Sequence, residues 1–222
     1  MISKVLLFAR EKGLDIKGLT YNSAEVKAGY IFFALKGVHH DGNAYIANAI
    51  EQGAVLIVSA QPAAQNYQVS FFLSKNIDQD MADAAYEFYG RPSDYLCITG
   101  VTGTKGKTSI SYLAEAALAH GGKKVSVLGT VNYRINGQVI TDAPNTTPLA
   151  LPLFKLLRQM QDAQTDASSA RIFPSCASPI PLISNLLNSS DSTSTFCSRA
   201  TKKRKKVRRS SRYSSTVFCE HP

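Results

Sequence analysis

Short apolar runs alternate with amphipathic stretches along the first 92 residues. The turn at residues 41–43 precedes a stretch at 44–52 whose apolar residues recur at helical spacing. A second helix is predicted at 77–89, where the following Gly90-Arg91-Pro92 supplies a glycine and a proline that stop it. The pattern predicts an α/β domain that ends at this triplet. Three strand-length runs rich in β-branched and aromatic residues complete the pattern: 30–35, 54–59 and 69–73.

A second set of elements follows. The buried-strand pattern at 95–99 leads through a glycine-rich loop at 100–107 into a predicted helix at 108–120. Residues 124–128 have the pattern of another strand. A strand, a helix and a second strand in this order are expected of a parallel sheet with a crossover helix. The sequence therefore predicts a second α/β region.

Two further elements are predicted before the pattern ends. Residues 133–140 predict a hairpin that turns at Asn136-Gly137, and residues 149–162 predict an amphipathic helix. Beyond Ala163, Ser, Thr and Pro interrupt the few apolar residues, so we expect no packed structure there. The predicted fold class is α/β, with domains at 1–92 and 93–167 and a disordered tail at 168–222.

Charge is distributed unevenly along the chain. The formal net charge is +9, and residues 164–222 hold ten of the 25 Lys and Arg residues but three of the 16 acidic ones. Most of this excess is one basic run at 202–209. The run has three interpretations: a nucleic-acid or nuclear-import patch, a solvated interaction tail, or out-of-frame translation. Because it has no aromatic interleaving or folded scaffold, we expect no selected nucleic-acid partner.

The apolar runs exclude membrane proteins of the helical type. The longest are strand-sized, far below the roughly 20 residues that a membrane helix needs, and the N-terminus lacks the apolar core of an export signal. We expect a cytoplasmic location, no membrane partner and a monomer. Four cysteines have neither CxxC nor metal-ligand spacing and are interpreted as free thiols: Cys97, Cys176, Cys197 and Cys219.

Candidate chemistry lies in the loop Gly100-Val101-Thr102-Gly103-Thr104-Lys105-Gly106-Lys107-Thr108, between a predicted strand and a predicted helix. Glycines let backbone N–H groups approach phosphate oxygens, and the helix N-terminus adds its dipole. Lys107 can place a charge on the β- and γ-phosphates, and Thr108 can ligate Mg²⁺. The general nucleotide-loop template wants a glycine where Val101 stands, so the spacing is a variant. ATP or GTP binding is predicted; the alternative is a glycine-rich turn that binds nothing.

This variant loop, TGTKGKTS at 102–109, resembles the TGTNGKT loop of the Mur ligases. Further matches follow the family's order: Ser23 where the family has Asp-Ser-Arg, the stretch 26–37 with Asp41-Gly42, and NTTP at 145–148. The resemblance covers roughly residues 1–167. It is closest to the branch that adds a diamino acid to UDP-N-acetylmuramoyl-L-alanyl-D-glutamate, through an acyl phosphate formed with ATP and Mg²⁺.

The resemblance implies a uridine-nucleotide domain at 1–92 and the start of a P-loop-type parallel-sheet ATPase domain at 93–167. It assigns Mg²⁺ to Thr108 and the catalytic role to Lys107. ATP is assigned to seven consecutive residues: Gly103, Thr104, Lys105, Gly106, Lys107, Thr108 and Ser109. The UDP-muramoyl-peptide is assigned to seven others: Ser23, Val38, His39, His40, Asn145, Thr146 and Thr147.

Some of these assignments have alternatives. Asn22 and Ala24 replace the two charged residues of the Asp-Ser-Arg motif, which weakens the case for the contact at Ser23. His39 and His40 have a metal-binding alternative, although adjacent loop histidines are more often plain polar residues. The Asn and Thr residues before Pro148 also form a common helix cap.

The resemblance stops after Ala167. The family's next motif, which carries a magnesium-binding glutamate, has no match here. Codons for residues 168–178, read from their second base, are compatible with that motif, so a frameshift just after Ala167 is our leading explanation of the tail. We expect this chain to be inactive by itself. Two alternative functions stay open: a UDP-sugar-binding module without turnover, and a basic-tailed nucleic-acid binder.

Overall fold

The computed structural model describes residues 2–37, 41–102, 105–143, 148–171 and 216–217. The chain divides into two compact units, Met1–Gly90 and Arg91–Pro222. Each has a sheet with helices, which confirms the predicted α/β class. No helix within the described residues is long and apolar enough to cross a membrane.

The first unit contains a four-stranded sheet in the order β1-β2-β3-β4, and every neighbouring pair is parallel. The predicted strands and both predicted helices are present, whereas α1 and β1 were not predicted. Short 3-10 turns occur at Ser23–Glu25 and Gly42–Tyr45. The elements are α1 (Lys4–Glu11), β1 (Gly18–Thr20), β2 (Tyr30–Ala34), α2 (Ile46–Glu51), β3 (Ala54–Ser59), β4 (Ser70–Leu73) and α3 (Ile77–Phe88).

The core of this unit lies on the two central strands. Ile31, Phe32 and Phe33 of β2 and Leu56 and Ile57 of β3 are all at most 1% exposed. Consecutive buried residues show that both sheet faces are covered, as is usual for parallel sheets. This is why the central strands appear in the sequence as continuous apolar runs.

The second unit contains a six-stranded sheet in the order β10-β5-β9-β6-β7-β8. The predicted hairpin is confirmed: Asn136 and Gly137 have φ of 49° and 81°, as a two-residue turn with two left-handed positions requires. The elements are β5 (Cys97–Thr102), α4 (Lys107–His120), β6 (Val125–Leu128), β7 (Asn132–Ile135), β8 (Gln138–Asp142), α5 (Ala150–Asp162), β9 (Ala167–Arg171) and β10 (Thr216–Val217).

The expectation of no packed structure beyond Ala163 is wrong for β9 and β10. Strand β9 lies between β5 and β6, parallel to both, and β10 pairs with the outer side of β5. The amides of Asp166 and Ala167 donate to the Lys124 carbonyl, and the Lys124 amide donates to Asp166 Oδ2 at 2.8 Å, which aligns β9 with β6. Backbone pairing needs no apolar side chains, so the Ala- and Ser-rich strand left no apolar signal in the sequence.

Candidate functional site

The glycine-rich loop joins β5 to α4. Strand β5 ends at Thr102, Gly106 adopts a left-handed conformation with φ of 77°, and α4 begins at Lys107. Gly106 has no side chain that could cap the helix, and the Ile110 amide donates to the Gly106 carbonyl at 2.9 Å to close the first turn. The N-terminal amides and positive dipole end of a 14-residue helix therefore suit an anion.

The structure describes five of the seven residues assigned to ATP. Lys107 and Thr108 are half-buried in the first turn of α4, where Ser109 is exposed, and Lys105 and Gly106 are exposed in the loop before it. Gly103 and Thr104 lie outside the described residues. The side chains assigned to phosphate and Mg²⁺ thus follow the loop directly, at the N-terminus of the helix.

Sheet topology places the ends of β5 and β8 at the same edge of the sheet. Strands β5, β9 and β6 are parallel, β7 is antiparallel to β6, and β8 is antiparallel to β7. Strand β8 therefore runs in the same direction as β5, and both end at the carboxyl edge. Asn145, Thr146 and Thr147 lie outside the described residues but follow the end of β8. The two strands are four positions apart in the sheet, about 19 Å at ordinary strand spacing.

Helix α4 packs on the hairpin through polar groups. Tyr112 Oη lies 3.0 Å from Asn132 Oδ1, and Arg134 Nη1 donates to Glu115 Oε2 at 3.0 Å. The Arg134 guanidinium also lies over the Tyr112 ring. Burial raises the pKa of Glu115, and the Arg134 charge opposes that shift. Among the described residues, Glu115 Oε1 and Arg134 Nε are buried without a hydrogen-bond partner, so this ion pair is only partly satisfied.

In the first unit, the predicted substrate residues follow neighbouring strands. Ser23 is half-buried in the 3-10 turn after β1, and Asn22 Oδ1 accepts from the Ala24 amide at 3.1 Å. Asn22 therefore caps this turn although it lacks the charge of the family's aspartate. Val38, His39 and His40 follow β2 and lie outside the described residues. Because β1 and β2 are parallel, their carboxyl ends lie at one edge of this sheet, and open parallel sheets commonly bind ligands at such an edge.

Sequence reasoning missed a hydrogen-bond network at this edge. Asn43 donates through its amide and Nδ2 to Asp41 Oδ1 at 2.9 and 2.7 Å, and these bonds lower the pKa of Asp41. Ser59, at the end of β3, donates from Oγ to Asn43 Oδ1 at 2.7 Å. We call these three residues and Gln61, whose amide donates to Ser59 Oγ, the edge network. The only sequence signal was the turn at 41–43, which gave no sign of its partner on β3.

Comparison with known protein families assigns both units. The Mur ligase catalytic-domain model matches residues 15–88, and the Mur ligase middle-domain model matches residues 101–168. The chain belongs to the Mur ligase family. The middle-domain match begins within β5 and contains α4 and the glycine-rich loop from Val101 onward.

Curated relatives carry the names of peptidoglycan ligases. The chain is 40% identical over 149 residues to a UDP-N-acetylmuramoyl-L-alanyl-D-glutamate--2,6-diaminopimelate ligase from Geobacter metallireducens, and 37% identical over 147 residues to one from Aquifex aeolicus. It is 38% identical over 151 residues to a UDP-N-acetylmuramyl-tripeptide synthetase from Roseiflexus sp.. These matches cover 66–67% of this chain and 29–30% of the relatives. The chain therefore spans about a third of the relatives' length.

A solved structure of a UDP-N-acetylmuramoyl-L-alanyl-D-glutamate--2,6-diaminopimelate ligase has the same fold. The TM-score is 0.58 at 24% identity, over 70% of this chain and 31% of the other. At this identity the match supports the fold and no residue role.

The resemblance assigns Mg²⁺ to Thr108, in the first turn of α4. No cluster of three or more His, Cys, Asp or Glu side chains that could hold a metal occurs in the described part of the chain. The alternative of a metal at His39 and His40 falls outside that part. Cys97 is half-buried and forms no disulfide bond in the described part of the chain, and the other three cysteines lie outside the described residues.

Proposed function

We propose that this chain carries the nucleotide-binding parts of an ATP-dependent ligase that adds diaminopimelate to UDP-N-acetylmuramoyl-L-alanyl-D-glutamate. The names of the relatives support the substrate and the amino acid. The observation that carries the proposal is the left-handed Gly106 followed at once by Lys107 at the start of α4. This arrangement presents helix amides and a lysine to the same anion.

In this proposal the second unit binds ATP and Mg²⁺. Residues 103–106 would surround the phosphates, Lys107 would neutralise charge on the β- and γ-phosphates, and Thr108 would ligate Mg²⁺. ATP would supply the phosphoryl group that activates the substrate's carboxylate. The helix N-terminus, where Gly106 has no capping side chain, and the half-buried Lys107 and Thr108 side chains fit these groups.

Substrate contacts are proposed for each unit by itself. Ser23 and residues 38–40 would contact the uridine diphosphate, and residues 145–147 would contact the muramoyl-peptide part. The ends of β5 and β8 are about 19 Å apart. The ATP loop and residues 145–147 would therefore contact different ligands, or parts of one ligand that lie far apart.

We further propose that this chain binds its nucleotides without turnover. Activation of a carboxylate needs Mg²⁺ held by several groups, and within the described residues Thr108 is the one assigned ligand. Binding of UDP-N-acetylmuramoyl-dipeptide would then be measurable while ligase activity is not. Product formation from the dipeptide, ATP and diaminopimelate would contradict this second proposal and support the first.

The test of the ATP site is titration of the full chain with a non-hydrolysable ATP analogue and Mg²⁺. Lys107→Ala removes the lysine charge and should weaken binding at least tenfold, since charged hydrogen bonds contribute about 1.5–3 kcal/mol. Lys123→Ala is the matched control, because Lys123 is an exposed lysine beyond the other end of α4. Equal affinities of the two variants would reject the assignment.

A further inference from the structure

The turn at residues 41–45 is held tightly against the end of β2. The Gly42 amide donates to the Leu35 carbonyl at 2.8 Å, and Lys36 and Asp41 form an isolated antiparallel bridge. A Cβ at position 42 would lie 2.6 Å from the Leu35 oxygen, so only glycine fits. The chain therefore leaves β2 and returns to it within a few residues, and the returning end has a fixed position.

Asn43 connects this turn to the next strand. Its Nδ2 donates to Asp41 Oδ1, and its Oδ1 accepts from Ser59 Oγ, so both the nitrogen and the oxygen of the side-chain amide are hydrogen-bonded. Ser59 is completely buried at the end of β3. A buried hydroxyl that donates at 2.7 Å fixes its partner more firmly than an exposed one, because the alternative for both groups is an unpaired polar atom.

The connection continues to the fourth strand. The Ser74 amide donates to the Ser59 carbonyl at 2.8 Å, and Ser74 Oγ pairs with Asp80 Oδ2 on α3. Polar contacts thus join the carboxyl ends of β2, β3 and β4. These contacts continue beyond the last residues that the backbone ladder pairs. They hold the turn at 41–45 in place relative to the ends of β3 and β4.

Stabilisation of the fold does not by itself explain why the edge network lies at the carboxyl edge of this sheet. The central strands are already held by parallel pairing and by buried side chains on both faces. The edge network lies at the edge where open parallel sheets bind their ligands, and it orders the loops rather than the strands.

We propose that Asn43 and Ser59 are positioning residues for the uridine nucleotide: their hydrogen bond fixes the turn at 41–45 beside the end of β3, at the sheet edge to which the uridine diphosphate is assigned. The inference rests on the proposed function of the first unit. Neither side chain needs to touch the ligand, and their loss should lower affinity by letting this turn move away from β3.

The test is titration of the full chain with UDP and with UDP-N-acetylmuramoyl-L-alanyl-D-glutamate, at a temperature where circular dichroism shows every variant folded. Asn43→Ala and Ser59→Ala should each weaken binding of both ligands about three- to tenfold, the range expected for one lost hydrogen bond. Asn48→Ala is the matched control, because within the described residues the Asn48 side chain on α2 bonds only to the exposed Gln52 side chain. It should bind like the unsubstituted chain.

A conservative variant separates positioning from general destabilisation. Asn43→Asp keeps an oxygen that can accept from Ser59 but places a second carboxyl beside Asp41. Its affinity for UDP should approach that of the unsubstituted chain near pH 5, where the pair can share a proton, and fall toward that of Asn43→Ala near pH 8. Affinity of the ATP analogue should not change in any of these variants.

The outcomes distinguish the two claims. If the unsubstituted chain binds neither UDP ligand, the proposed function of the first unit fails and this inference with it. If it binds them and Asn43→Ala and Ser59→Ala bind equally well, the inference alone is overturned. If Asn43→Ala does not fold, Ser59→Ala and the pH profile of Asn43→Asp decide the question.

Discussion

Strands β3 and β9 occupy the same kind of position and are built from different residues. Each lies in the interior of its sheet with a parallel neighbour on both sides. Strand β3 is Ala-Val-Leu-Ile-Val-Ser, whereas β9 is Ala-Ser-Ser-Ala-Arg. Backbone pairing therefore decides where each of these strands lies, while its side chains decide how strongly that position is stabilised.

The largest expected effect comes from removing apolar volume from β3. Ile57 is completely buried and packs in a cluster with Phe32 and Ala49. Ile57→Ala should lower the free energy of unfolding of the first unit by about 2–5 kcal/mol, because it removes buried methyl groups and leaves a cavity. Urea unfolding with hydrogen exchange of the β2–β4 amides measures this. Leu73→Ala, at a position 57% exposed on β4, should change the stability of the first unit by less than about 0.5 kcal/mol; a loss at Leu73 as large as that at Ile57 would contradict this prediction.

A matched serine pair tests the second unit. Ser126 and Ser168 are register partners on β6 and β9, and both are buried. Ser126 Oγ bonds to Thr165 Oγ1 and accepts from the Asn136 amide, whereas Ser168 Oγ has no hydrogen-bond partner among the described residues. Ser126→Ala should therefore destabilise the unit by about 1–3 kcal/mol, since it leaves its partners unpaired.

The same substitution at Ser168 should change the free energy of unfolding in the opposite direction. Ser168→Ala removes a buried hydroxyl that makes no bond and should stabilise the unit by about 1 kcal/mol. Urea midpoints of the two variants give both values in one experiment. Destabilisation by Ser168→Ala would mean that the Ser168 hydroxyl has a hydrogen-bond partner and that the polar side chains of β9 contribute to stability.

The smallest effect is a dependence on pH. Burial raises the pKa of Glu115 above its ordinary value of 4.5. A carboxyl whose pKa is higher in the folded than in the unfolded state stabilises the fold fully at pH values below its unfolded-state pKa. This contribution is lost as pH rises through its folded-state pKa. The free energy of unfolding should thus fall, relative to that of Glu115→Gln, as pH rises from about 4 to 7. Urea unfolding across this range tests it, with the exposed Glu11→Gln as control; parallel curves for Glu115→Gln and the unsubstituted chain would contradict the prediction.

The sequence predicted those elements whose signal is local. Strands β2 and β3 appear as apolar runs because both of their faces are buried, and Asn136-Gly137 marks a hairpin because few other pairs adopt two left-handed residues. The glycine-rich loop was found because its residue types have separate physical roles. Helix α1 was missed although Ser3 caps it, because its short apolar face alternates with charged residues.

The rest depended on contacts between distant residues. Strand β9 was missed because its place is set by bonds to Lys124 and by two neighbouring backbones, not by its own composition. The hydrogen bond between Asn43 and Ser59 joins residues 16 positions apart, and no spacing rule connects them.

The sequence alone predicted the α/β class, the central strands of the first sheet, the hairpin turn and the glycine-rich loop, because each of these follows from residues close together in the chain. The tertiary structure alone decided that β9 completes the second sheet, that Glu115 meets Arg134, and that Asn43 reaches Ser59. Each of those pairings depends on which chain segments become neighbours when the sheets form, and that is a property of the whole fold.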